Sequence, residues 1–173
     1  MQTAAMKRLR LPGPLRGFTL IEMMITIAVA VVLLAIVAPS FRQIIAGQRI
    51  KTASFDLFSA LNYARSEAIK RNASVSLNAG ATANGAWATG WRLVDPDDST
   101  KYLRSWGAVS NLSVIEKTGG ITTLSYGRDG RLGAGATQPK FEINTATPVS
   151  GVAARCVQVD LGGRPTTSTG ACP

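Results

Sequence analysis

The hydrophobic pattern changes character twice along the chain. Residues 18–38 form a run of 21 without Lys, Arg, Asp or Pro, interrupted by a single acid, Glu22. A helix needs about 20 apolar residues to cross the ~30 Å hydrocarbon core of a bilayer, so the run predicts a membrane segment. A carboxylate inside such a run is expensive and calls for a partner. Beyond Pro39, residues 40–72 change to helical spacing, with Phe41, Ile44 or Ile45, Gln48, Ala53, Leu57, Leu61, Ala64 and Ala68 recurring along one stripe. This predicts an amphipathic helix packed on a sheet. A proline inside a helix removes one backbone donor and predicts a kink at Pro39. A continuous helix from residue 18 to 71 would span roughly 80 Å.

From residue 73 the period falls to two. Val75 and Leu77 alternate with serines, and residues 91–94, 102–106, 112–116, 121–126, 141–143 and 156–161 read as short strands. The turn at residues 96–99 and the pairs Gly119-Gly120, Asp129-Gly130 and Gly162-Gly163 punctuate them. Short strands without a second helix predict an antiparallel sheet region packed on the helix, an α+β architecture. Residues 78–90 read as an exposed loop and residues 166–173 as a polar terminal loop. Trp87, Trp91, Tyr102, Trp106 and Phe141 read as core and sheet packing.

Composition narrows the chemistry. The chain has no histidine, which excludes a Ser-His-Asp or Cys-His arrangement and any His-ligated metal. The acids are scattered, apart from Asp95, Asp97 and Asp98 in one turn. An enzyme is not expected, and neither is a cofactor or metal. Cys156 and Cys172 have 15 residues between them. In an exported domain a disulfide closing that loop is the natural reading, and two free thiols in a reducing compartment are the alternative. The net charge is +9, of which Lys7, Arg8, Arg10 and Arg16 contribute four ahead of the apolar run. The order of basic segment, apolar run and polar domain keeps the first residues cytoplasmic and sends the C-terminal domain across the membrane. The run is longer than the 7–15 residues of a cleaved signal peptide, and Ile36-Val37-Ala38 lacks a small-x-small site.

Gly17-Phe18-Thr19-Leu20-Ile21-Glu22 after a short basic leader resembles the processing motif of type IV prepilins and of type II secretion pseudopilins. The resemblance implies that a prepilin peptidase cuts after Gly17 and methylates the new amine of Phe18. It makes Glu22 the fifth residue of the mature chain, placed to neutralise the amine of a neighbouring subunit. Glu22 lies roughly 6 Å along the helix from Phe18, and a buried charge is tolerable when paired. Asn62-Tyr63-Ala64-Arg65-Ser66-Glu67-Ala68 and residues 126–132, Tyr-Gly-Arg-Asp-Gly-Arg-Leu, are similar to the FimT/FimU minor pilins and the GspH-type minor pseudopilin.

The family implies a pilin-like fold and four parts: a cleaved leader (1–17), a transmembrane and filament-core helix (18–39), an amphipathic helix (40–72) and a periplasmic β-rich domain (73–173). The expected function is a minor pilin that primes or caps a type IV pilus. The alternatives are the H-type minor pseudopilin of a type II secretion system and a pilus-associated DNA-uptake receptor. The last rests on Gly163-Arg164-Pro165-Thr166, where some FimT-like pilins carry Gly-Arg-x-Arg and this chain has Thr166 in place of the second arginine. Arg164 and Arg155 are the candidate DNA contacts, with Lys140, Arg128 and Arg131 available to join them. Expected partners are the prepilin peptidase and N-methyltransferase, other minor and major pilins or pseudopilins, and inner-membrane lipid. The expected location is the inner membrane, crossed once, then the pilus or pseudopilus.

Overall fold

A computed structural model describes residues 17–80, 87–133 and 137–173, and the side chains of all of these except residues 36–40. The elements are α1 (Leu20–Arg71), β1 (Val75–Ala79), β2 (Trp91–Val94), β3 (Tyr102–Trp106), β4 (Leu112–Glu116), β5 (Thr123–Tyr126), β6 (Lys140–Thr145), β7 (Arg155–Val159) and β8 (Pro165–Thr169). Pro39 lies inside α1, and the chain divides into two compact units between Pro39 and Ser40.

In the first unit every described side chain from residue 17 to 35 is exposed, Leu20 at 78% and Leu34 at 67%. Apolar surface on this scale is not left to water without a reason. Among the described residues no helix is long and apolar enough to cross a membrane. The described side chains of the apolar run stop at residue 35, short of its end at residue 38.

The second unit is built around the rest of α1. Ile50, Ala53, Leu57, Ala60, Leu61, Ala64 and Ala68 return every three or four residues and are all buried. The stripe starts later than the sequence pattern suggests. Phe41, Ile44, Ile45 and Gln48 are exposed, because the strands cover the helix only from Ile50 onward. The helix ends in a Schellman motif. Asn72 takes a left-handed φ of 51°, its N–H donates to Ile69 and the Ala73 N–H donates to Ala68. Asn tolerates that conformation through its short polar side chain.

The strands form two antiparallel four-stranded sheets, ordered β3-β2-β1-β5 and β4-β6-β7-β8. One apolar cluster joins the helix stripe to Val75, Leu77, Trp91, Leu93, Leu124 and Tyr126 of the first sheet and to Leu112, Val114, Phe141, Ile143, Val157 and Val159 of the second. Alternating burial along β1 and β6 gives each strand one core face. This is the α+β architecture expected from the sequence.

Two local expectations need correction. Residues 165–169 are not loop. They form β8, paired with β7 in register from Arg155↔Thr169 to Val159↔Pro165. Pro165 sits at the first position of an edge strand, where its missing N–H costs no ladder bond. Its polar, unalternating sequence gives no strand signal, and four of its five residues are exposed. The stretch 78–90 is not one exposed loop either. β1 reaches Ala79, and Trp87 begins a short 3-10 turn, Trp87–Thr89, with its ring buried. Its Nε1–H donates to the Ile121 carbonyl at 2.7 Å, and the ring meets Phe141 edge-on at 4.7 Å. Residues 81–86 of that stretch lie outside the described residues. Trp91 and Phe141 are buried, Trp106 is half-buried, and Tyr102 is exposed.

Candidate functional site

The N-terminal site is small and local. Gly17, Phe18 and Thr19 are non-helical and exposed, Phe18 at 78%, and α1 starts at Leu20. The Gly17–Phe18 bond therefore lies in non-helical, accessible chain just ahead of a helix, where a peptidase can engage it. The basic residues of the leader, Lys7, Arg8, Arg10 and Arg16, lie outside the described residues.

Glu22 has a partner that the sequence reading missed. The Glu22 N–H donates to Thr19 Oγ1 at 3.2 Å, and the Thr19 N–H donates back to Glu22 Oε2 at 3.5 Å. This is a capping box, and Thr19-Leu20-Ile21-Glu22 is its sequence signature. The Thr-x-x-Glu spacing was in plain view, hidden by the membrane reading of the same residues. In a single chain the carboxylate thus caps the helix, and its charge sits favourably at the positive end of the helix dipole. It stays exposed, free to meet a cation from outside the chain.

Three separate sequence motifs meet in the second unit. Arg65 Nε on α1 donates to the Gly130 carbonyl at 3.1 Å, at the tip of the turn linking Tyr126 to Leu132. Gly163, in the β7–β8 turn, packs on the same Gly130 carbonyl so closely that a Cβ would overlap it. Both glycines have positive φ, 72° and 77°. Tyr126 is fully buried beneath, its hydroxyl raised in pKa by burial. The segment 62–68, the turn 127–131 and Gly163 are therefore a packing junction.

The far end of α1 is fixed electrostatically. Glu67 is buried and accepts from Arg71 Nε at 2.8 Å, and Arg71 Nη1 reaches Asp95 and Asp97 at 3.3 and 3.4 Å. The hydrogen bond from Arg71 holds the Glu67 carboxyl below its ordinary value, against the opposing effect of burial and with help from Lys70. The acidic turn singled out in the sequence thus ties the β2–β3 connection to the helix end.

Cys156 and Cys172 are joined in a disulfide, and no cysteine of the described residues is free. The bond anchors the segment after β8 to the buried face of β7. The two arginines considered for DNA are not brought together. Arg164 closes the β7–β8 turn, where its Nε pairs with Asp160 Oδ2 at 3.0 Å and its N–H donates to Asp160 Oδ1 at 2.9 Å. Arg155 is at the opposite end of β7, roughly 17 Å away along the strand. Lys140 Nζ donates to the Pro173 carbonyl. The DNA-uptake reading finds no support in this arrangement. Among the described residues no group of three or more Cys, Asp or Glu is placed to hold a metal ion.

Comparison with known proteins gives two family matches. The family described as type II transport protein GspH matches residues 53–163, and the prokaryotic N-terminal methylation motif matches residues 16–38. Among solved structures, two crystal forms of the type IV minor pilin FimU of Pseudomonas aeruginosa PAO1 resemble this chain. One superposes with a TM-score of 0.59 at 22% identity, covering 70% of this chain and 89% of FimU. The other gives 0.57 at 23% identity, covering 68% and 91%. At that identity the likeness is one of fold. A comparison with curated proteins found no match.

Proposed function

Since the chain belongs to the family described as type II transport protein GspH, a family of minor pilins and pseudopilins, we propose that it is a non-enzymatic subunit that primes or caps a type IV pilus. The prepilin peptidase and N-methyltransferase would cut after Gly17 and methylate Phe18. Residues 18–39 would hold the subunit in the inner membrane, with the N-terminus cytoplasmic and residues 40–173 periplasmic. The same helix would then enter the filament, where Glu22 pairs with the Phe18 amine of a neighbour and Pro39 supplies a point of bending. One observation carries this reading: an exposed apolar stretch of α1, residues 20–35, in which the only acid among the described residues stands in the first turn, directly behind an accessible Gly17–Phe18 bond.

A second reading within the same class is the H-type pseudopilin of a type II secretion system. The description of the matching family favours it, whereas the fold likeness to FimU favours the pilus. Isolating the chain with filaments from cells that lack either the pilus or the secretion apparatus separates the two. Processing is tested by Gly17→Ala. The protein should keep residues 1–17 and remain in the membrane fraction, and a normally shortened product would refute the assigned cleavage site.

A further inference from the structure

Between Glu22 and Asp56 the chain carries no acid, yet it has Arg42, Arg49 and Lys51. Elsewhere in the second unit Arg71, Lys101, Lys117 and Arg164 each pair with a carboxylate. Arg42 and Arg49 have no ion pair among the described residues. They are seven positions apart, two turns along one side of α1, and both line a cleft of about 410 Å³. Its other wall comes from Asn111 just before β4 and from Thr147 and Val149 after β6. The lining has two guanidinium groups, an amide, hydroxyls and apolar side chains, and no carboxylate. Beside it Phe41 and Ile44 stand exposed at 60% and 67%.

We propose that this cleft holds the phosphate headgroup of an anionic phospholipid while the subunit waits in the membrane. The inference rests on the reading of residues 18–38 as the membrane segment. Two features single out lipid as the occupant. Charge is the first: guanidinium groups bind phosphate through paired N–H donors, and two of them over an acid-free lining leave a site of net charge +2. Position is the second. Arg42 is only four residues along the chain from the end of the apolar run, so a subunit held by that run would carry it near the headgroup layer. Arg49 is roughly 10 Å further, and its long side chain can reach back toward the phosphates. Phe41 and Ile44 would bury their apolar side chains at the same boundary, as interfacial helices do. The exposed stripe at residues 41–45, which the core leaves uncovered, then has a role before assembly.

The test uses the full chain, one copy per lipid nanodisc. The discs contain phosphatidylcholine alone or phosphatidylcholine mixed with phosphatidylglycerol. Insertion is scored first by resistance to carbonate extraction. Amide hydrogen exchange over residues 42–49 and 145–149 should slow in the phosphatidylglycerol discs only. Native mass spectrometry should show phosphatidylglycerol retained in preference to phosphatidylcholine. Arg42→Gln with Arg49→Gln should reduce that preference by roughly 30-fold, at about one surface-cation contribution per arginine. Lys117→Gln, remote from the cleft and paired with Glu142, should leave it unchanged. An inserted chain with equal protection in both discs would overturn the headgroup site and leave the pilin reading standing. A chain that fails to insert would overturn both. If inorganic phosphate in plain phosphatidylcholine discs reproduces the protection, the cleft is a free-anion site and the lipid assignment is wrong.

Discussion

At the scale of single residues, the cap that Glu22 forms can be separated from the inter-subunit pairing proposed for it. In one chain it completes a capping box with Thr19. In a filament its charge would meet a neighbour's amine. Glu22→Gln keeps an oxygen for the Thr19 N–H and removes the charge, whereas Glu22→Ala removes both. If the inter-subunit pair governs docking, both variants should insert in the membrane and both should be poorly incorporated into filaments, as measured by the subunit recovered in sheared filament fractions. Incorporation of the Gln variant at the normal level would reduce Glu22 to a helix cap. Glu67 is a separate case, structural only. Its carboxyl is held low by Arg71, so the stability it contributes is complete above the unfolded value of about 4.3 and is lost as pH falls through the lower folded value. Thermal melts of the natural protein and of Glu67→Gln should differ at neutral pH and converge as the pH falls below the lowered folded value. An undiminished difference in acid would mean that the charge is not what Glu67 contributes.

At the scale of elements, the legible parts of the fold were those with a strong period. The helix stripe from Ala53 to Ala68 and the strands β1 and β4 follow from spacing alone, because one face of each is buried and the other is not. β8 was not legible. A polar edge strand buries almost nothing, so its pairing with β7 leaves no trace in hydrophobicity. Trp87 reads as a core residue from its type, but the Gly- and Ala-rich stretch around it has no period to show the short turn that seats its ring. The end of the stripe near Ile50 depends on where the strands stop, which lies far away in sequence. At the N-terminus the motif could be read residue by residue, but the transmembrane reading eclipsed the capping box.

The junction of Arg65, Gly130 and Gly163 gives the sharpest test at this scale. It locks the two turns against α1 with no room for a Cβ on Gly163. Gly163→Ala adds that clash to the strain of a left-handed φ, so it should destabilise the domain by about 1–3 kcal/mol or more in denaturant melts. A loss below a few tenths of a kcal/mol would show that the turns separate freely. Arg65→Ala should also weaken the junction, since the Gly130 carbonyl loses its donor.

At the scale of the whole molecule, one helix serves two environments. Helix α1 contributes one part whose apolar side chains find no cover among the described residues, and another part that closes the core of two sheets. On the proposed function, lipid would cover the first part before assembly and neighbouring helices afterwards. On the proposed reading, passage from membrane to filament depends on one event, the removal of residues 1–17 to create the amine on Phe18. The most direct test is the intact mass of the protein recovered from the membrane of cells that make it. The account predicts a single species that has lost residues 1–17, gained one methyl group at Phe18 and lost two hydrogens to the Cys156–Cys172 disulfide. A recovered mass that still includes Lys7 to Gly17 would contradict it.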